Sequence, residues 1–410
     1  MADSIDKSVT DTKTTVEIPG AEEVIQEQKE QIEKVQTEGG PVEIEMDEEG
    51  GAEISFDPNA ASPEGGEDHF SNLAEFLDDG ILSELAQNLS DKYTEYKESR
   101  ADWAQSYREG LDLLGFKYQR RTQPFRGASS VTHPVLAEAV AQFQATAYKE
   151  LLPSDGPVRT QILGDVTAPK QDQANRVKDF MNYQLMDQMK EYEPEFDQML
   201  FYLPLSGSTF KKVYYDDLLG RAVSKFVHSD DLVVPYSATS LEDAEAIVHV
   251  IKISENELRK QQVSGFYKDV ELGEPPVIEN QITQKEQELE GVTQNGNEDQ
   301  FTLLEFHMDL DLEGYEDLGE DGEPTGIKIP YIVTLDTANT QILSIRRNYE
   351  AEDKLKKKVN YFVQFKFLPG TGFYGFGLIH MIGGLTRTAT AALRQLLDAG
   401  TLANLPAGFK

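Results

Sequence analysis

The spacing of apolar side chains changes once along this chain, near Gly207, and that change restricts the fold to a helical part followed by a β-rich part. From Ile81, the residues Leu82, Leu85, Leu89, Tyr93 and Tyr96 recur at three- and four-residue steps, and Trp103, Tyr107, Leu111 and Leu114 continue them. This spacing places them on one face of a long helix or of a broken pair, with Gly115 as the stop signal. A loop over 117–130 carries Arg120, Arg121 and Arg126. Thr132 is positioned to cap a second helix whose first turn holds Pro134, where proline costs nothing. Its apolar side is Val135, Leu136, Ala139, Val140, Phe143 and Ala147, and the Leu152-Pro153-Ser154-Asp155-Gly156-Pro157 run ends it. Further helices are expected over about 172–189 and 195–203.

Beyond Gly207 the apolar runs are short, rich in β-branched and aromatic residues, and separated by turn residues. Strands are expected at 210–215, 222–227, 232–236, 246–253, 301–310, 327–335, 341–346 and 361–367. Ser254 and Glu257 stand at capping-box spacing for a small helix over 254–262. Residues 263–300 are polar and poor in large apolar side chains, so they read as a surface insertion. The run Gly370-Thr371-Gly372-Phe373-Tyr374-Gly375-Phe376-Gly377 reads as a flexible approach to a helix over about 378–399.

The first 70 residues hold 20 acidic side chains against four lysines. They offer too little apolar surface to offset chain entropy, so 1–75 is expected to be a disordered acidic tail. Over the whole chain, 38 Lys and Arg face 73 Asp and Glu, a formal charge of −35. A duplex-binding protein gains affinity by displacing phosphate counterions with clustered positive charge, so tight adhesion to nucleic acid is disfavoured. A wall past which a polyanion slides is compatible with this charge. No cysteine is present, which excludes disulfides, thiolate metal sites and Cys nucleophiles. The opening residues lack the basic and apolar regions of a secretory signal, and no run approaches the roughly 18 apolar residues of a membrane span, so no membrane partner is expected. The apolar end, Leu405-Pro406-Ala407-Gly408-Phe409-Lys410, reads as a cut within a longer chain.

Chemistry-bearing motifs are scarce. His69, His133, His228, His249, His307 and His380 show no metal-ligand spacing, and the chain has no G-x-S-x-G elbow or Walker A loop. Asp309, Asp311, Glu313, Gly314 and Glu320 occupy positions 1, 3, 5, 6 and 12 of an EF-hand-like loop. Position 5 is Glu and the flanks read as strands, so an acidic β-hairpin loop is the default. Lys354, Lys356, Lys357 and Lys358, with Arg346 and Arg347 upstream, form the dense basic stretch, read as a solvated turn between strands. On the last helix Arg387 and Arg394 lie seven residues apart, near one face, among the small residues Thr386, Thr388, Ala389, Thr390, Ala391 and Ala392. No catalytic residue, metal or cofactor is assigned.

Three blocks carry a resemblance. Arg126-Gly127-Ala128-Ser129-Ser130-Val131-Thr132-His133-Pro134-Val135-Leu136-Ala137-Glu138-Ala139, continuing through Ala147-Tyr148-Lys149-Glu150-Leu151-Leu152-Pro153, resembles the start of the wing region in portal proteins of podovirus-like tailed phages. Asp309-Leu310-Asp311-Leu312-Glu313-Gly314 followed by Pro330-Tyr331-Ile332-Val333-Thr334 is similar to a hairpin of that family. Phe373-Tyr374-Gly375-Phe376-Gly377 resembles its junction before the central helices. The likeness spans about 80–410 and follows the family's order. It implies an α+β chain with a disordered tail (1–75), a helical wing-like region (76–206), a β-rich wing region (207–370, with the insertion 263–300), and a glycine-rich junction with a long stem-type helix (371–410).

The resemblance further implies a non-enzymatic homo-oligomeric ring, a dodecamer, at one capsid vertex. Such a ring starts capsid assembly with scaffold and major capsid protein and docks the terminase large subunit for genome packaging. It also holds tail adaptor proteins and passes double-stranded DNA non-specifically inward and, at ejection, outward. It places the protein in the virion, and in the host cytoplasm during assembly. Arg387 and Arg394 would approach the channel or a neighbouring subunit. A head-tail adaptor, an internal head protein, and a metal-dependent nuclease built on the acidic loop are the alternatives.

Overall fold

The computed structural model describes residues 43–46, 52–55, 69–116, 121–216, 219–274, 281–291, 300–318, 323–370 and 372–404. The chain divides into two units, Met1–Ser71 and Asn72–Lys410. In the first, β1 (Glu43–Met46) and β2 (Ala52–Ser55) pair antiparallel, with Ile44 opposite Ile54. The expected disordered tail over 1–75 is overturned at 72–75, where Asn72, Leu73 and Ala74 are buried, and for the rest of the stretch up to 68 it lies outside the described residues.

The second unit is mixed α+β, with helices first, antiparallel sheets next and a long helix last. A 3₁₀ turn, Leu73–Glu75, opens it. Asn72 pins this turn. Its side-chain carbonyl accepts from Ala74 N (3.1 Å) and Ile345 N (2.9 Å), while its amide donates to Leu343 O (3.0 Å). Then α1 (Asp79–Ser99) and α2 (Ala101–Leu111) form the broken pair, with the break at Arg100. The expected single apolar face divides there. Leu82, Ala86, Leu89 and Tyr96 of α1 pack on a β-sheet, whereas Tyr107 and Leu111 of α2 enter a helical core. Gly115 ends the segment in the left-handed region, φ 72°, as its position suggested.

The helical core joins α2 to α3 (Val135–Leu151), α5 (Tyr192–Ser206) and the last helix through Leu136, Val140, Leu205 and Ile379. Pro134, not Thr132, occupies the N-cap of α3, with no side-chain cap bond. Thr132 is used elsewhere, against Gly115 and an arginine described below. Between them, α4 (Ala168–Tyr183) buries no residue.

The strands form two antiparallel sheets. One has three strands in the order β10-β3-β4, where β3 is Ser208–Asp216, β4 Arg221–Val227 and β10 Phe362–Lys366. The other has five in chain order: β5 (Leu232–Val233), β6 (Ala246–Ser254), β7 (Gln300–Leu310), β8 (Ile329–Asp336) and β9 (Gln341–Arg347). The central strand β7 is buried along most of its length because α1 covers one face, while on the other Phe301 and Leu303 pack on Leu258 and Tyr267 and Glu305 and His307 meet Lys212 and Phe362 of the three-stranded sheet. In β3 full burial gives way to alternation halfway along, marking where the strand leaves the core. Between β6 and β7, Ser254 accepts from Glu257 N as the cap of α6 (Glu255–Val263).

The described parts of the polar stretch 263–300, at 263–274 and 281–291, are docked rather than a plain surface excursion. Tyr267 is buried beside Leu258, Phe301 and Leu343. Within it α7 (Gln281–Glu290) inserts Ile282, only 3% exposed, among Tyr107, Leu111 and Leu205. One well-placed isoleucine anchors a ten-residue helix that composition alone marks as solvated.

Candidate functional site

The last helix, α8 (Leu378–Ala403), is the longest element and carries both arginines singled out from the sequence. Its glycine-rich approach is a close backbone crossing, not a loose hinge. A Cβ on Gly207, whose φ is 88°, would meet Gly375 O at 2.4 Å and Gly377 N at 2.5 Å. Gly375 N donates to Ser208 Oγ at 2.7 Å, locking the crossing to the start of β3. Gly377 caps α8, and its N–H donates to His380 Nδ1 at 3.1 Å.

Two opposite faces of α8 have different fates. Ile379, Gly383, Thr386 and Thr390 are buried against the helical core. Two residues further round, Met381, Leu385, Thr388, Ala392, Leu396 and Ala399 form a stripe exposed to solvent. Leu385 is 69% and Leu396 71% exposed. Three large apolar side chains, Met381, Leu385 and Leu396, held outward among the smaller Thr388, Ala392 and Ala399 make the kind of surface that a partner covers. Exposed Val177, Phe180, Met181 and Tyr183 of α4 make a second such surface.

Arg387 and Arg394 are brought to one cavity of about 510 Å³ between α8 and the 121–132 loop, which Arg121 also lines. Arg387 is mostly exposed and reaches Glu109 at 3.5 Å. Arg394 braces the loop, with Nε donating to Val131 O at 2.6 Å and Nη2 to Thr132 Oγ1 at 3.2 Å. Burial and the Arg121 charge push its pKa down. Arg120 lies outside the described residues.

The described EF-hand-like positions do not converge. Asp309 is paired within β7 opposite Pro330, Asp311 and Glu313 are exposed, and Glu320 lies outside the described residues. Among the described residues no three His, Asp or Glu side chains are placed to hold a metal ion. Of the lysine stretch, Lys356 pairs with Asp317, Lys358 donates to Ala244 O at 3.4 Å, and Lys354 and Lys357 are exposed. Arg346 instead stacks 4.4 Å from the Phe266 ring.

Sequence spacing could not disclose three buried polar clusters. Arg100, at the break between α1 and α2, donates to Ser229 O, Leu232 O and Tyr374 Oη at 2.8, 3.0 and 2.9 Å, and pairs with Asp230 at 3.3 Å. Glu305 meets Lys212 at 2.5 Å and His307 Nε2 at 2.7 Å, with His249 at 3.8 Å. Burial opposes the Glu305 charge, but Lys212 and the two imidazoles outweigh it and hold the carboxyl well below its usual range.

The third cluster lines a cavity of about 320 Å³ beneath α7, with His228, Asp230, Asp231, Lys252 and Glu286 around it. Glu286 is pushed up to about 8 by burial and by Asp230 and Asp231, and Asp231 to about 6 by burial and Asp230. Burial pushes His228 down to about 4. Its Nδ1 accepts from Asp230 N at 3.1 Å, so the neutral ring carries its proton on Nε2, facing Glu286 at 3.5 Å. Near neutral pH this pair is an uncharged acid beside an uncharged imidazole rather than an ion pair.

No protein-family model matches the chain, and no curated protein matches it.

Proposed function

We propose that this chain is a non-enzymatic subunit of a homo-oligomeric ring of the tailed-phage portal type. Its neighbours in the ring cover the exposed stripe of α8, and double-stranded DNA passes through the assembly without being held. The observation that carries this reading is the exposed apolar stripe of α8, running from Met381 to Ala399 opposite a buried one. A lone protomer would leave that surface in water at a cost of about 25 cal/mol per Å² of apolar area. Repeating one contact around an axis covers it on every copy once the rotation closes. The charge of −35 supports passage rather than capture of a polyanion. Exposed Arg387 is the member of the arginine pair able to reach outward, toward DNA or a neighbour. In this reading the terminase large subunit, scaffold, major capsid protein and tail adaptors are the partners, in the virion and in the host cytoplasm during assembly.

Negative-stain microscopy and mass photometry of the purified chain test the proposal. Closed rings are expected, and Leu385→Glu with Leu396→Glu should yield folded monomers. Monomers alone across a wide concentration range, or rings unaffected by the double substitution, would overturn it.

A further inference from the structure

We propose that the cleft between α8 and the 121–132 loop is a binding site for a small phosphate-bearing anion of up to about nucleotide size. The inference stands on the cleft alone and does not require a ring.

Space comes first. The cavity holds about 510 Å³, within the roughly 300–1,000 Å³ of small-molecule sites. Thr390 and Ala391 form its helical wall, and these short side chains let the helix surface recede. A nucleotide fits such a volume, whereas a duplex does not enter it.

Charge comes second. Three guanidiniums, Arg121, Arg387 and Arg394, line this single cavity in a chain whose formal charge is −35. The two carboxylates that share the lining are already engaged. Asp398 Oδ1 accepts from Ser129 N at 2.6 Å, and Asp112 Oδ1 takes Lys285 at 2.7 Å. For Arg394, repulsion from Arg121 outweighs attraction to Asp398. Three guanidiniums against two lining carboxylates, one of them paired with Lys285, with Arg387 reaching Glu109 only at 3.5 Å, favour an anion between them.

Preorganisation comes third. Arg394 spends Nε and Nη2 on the loop, which fixes the plane of its guanidinium and leaves Nη1 without a partner among the described residues. Arg121 is steadied by one bond, from Nη1 to Ser129 O at 3.2 Å. Arg394 Nη1 is left to meet one phosphate oxygen, and a ligand that finds these donors already in place loses less entropy on binding. Bracing the loop accounts for Arg394, but not for the convergence of Arg121 and Arg387 on the same space.

The test is calorimetric titration of the full chain at fixed ionic strength with inorganic phosphate, a nucleoside 5′-monophosphate and the unphosphorylated nucleoside. Saturable binding of one phosphate or nucleotide per chain, and none of the nucleoside, is expected. Arg121→Gln and Arg387→Gln should each weaken binding about tenfold, and Arg387→Gln, which removes only an exposed contact to Glu109, should leave the melting curve unchanged. Absence of saturable phosphate binding, or wild-type affinity in both variants, would overturn the proposal. So would binding of a DNA duplex that neither phosphate nor the nucleotide competes away. Oligomeric state, measured in the same samples, reports separately on the ring.

Discussion

Glu286 makes folding stability depend on pH in a window where it acts alone among the titrating groups of its cluster. Its carboxyl ionises near 4.5 in an open chain but at about 8 when α7 is docked beside Asp230 and Asp231. Between those values the folded state holds a proton that the unfolded state has lost, so stability falls as pH rises, by about 1.4 kcal/mol per unit. Below 6.5 His228 works in the opposite sense. Its folded value of about 4 means that the unfolded imidazole binds a proton the folded one refuses, so stability rises with pH up to 6.5. Asp231, raised to about 6, acts in the same direction as Glu286 but is spent by then. From pH 6.5 to 8 Glu286 therefore acts alone among the three, and about 2 kcal/mol should be lost. Glu286→Gln keeps an oxygen to accept from Tyr107, which stands 3.5 Å away, and has nothing to titrate. Urea denaturation across that window reads the effect through Trp103, the only tryptophan, which stacks 5.7 Å from the Tyr107 ring. The wild-type chain should lose about 2 kcal/mol more across the window than Glu286→Gln does. Equal slopes in the two proteins would refute the assignment of that proton to Glu286.

Two substitutions probe the joints that set the fold. Asn72→Ala removes three hydrogen bonds from a residue 5% exposed and should cost roughly 2–4 kcal/mol in denaturant titration, with Asn72→Asp recovering only part. Gly207→Ala forces a methyl onto the Gly375 and Gly377 backbone at a left-handed φ, and should cost more than about 3 kcal/mol and loosen α8, read as faster amide exchange across 378–390.

The elements themselves were legible because their signals are local. The three- and four-residue spacing of Leu82, Leu85 and Leu89 implies a helix whatever lies around it, and Ser254 with Glu257 marks a helix start by chemistry within four residues. The two arginines of α8 were legible as a pair for the same reason, seven residues apart on one helix. The partner Arg121 was not, since only the tertiary path of its loop carries it to them. The Glu305 cluster was hidden by register. His249 faces Glu305 across β6 and β7, and His307 lies two residues along on the same face, so three scattered residues become neighbours only once the strands pair. The glycines before α8 were misread as slack because sequence shows that a side chain is missing but not what fills its place.

These buried clusters bear on how a protomer of this shape could build a ring. Glu305 and Lys212 join the five-stranded sheet to the three-stranded one. Arg100 ties the α1–α2 break to the backbone before β5 and to Tyr374 just ahead of α8. Apolar packing would hold these layers together but would tolerate sliding between them, whereas charged hydrogen bonds have fixed partners and directions. Leaving one such partner buried alone costs about 3–5 kcal/mol, so the layers resist small rotations. A closed ring demands that resistance, because an angular error at one interface is repeated at every other and an unclosed rotation winds into a helix instead. Polar joints inside the protomer, rather than further apolar area, are thus what would hold the exposed stripe of α8 at one angle.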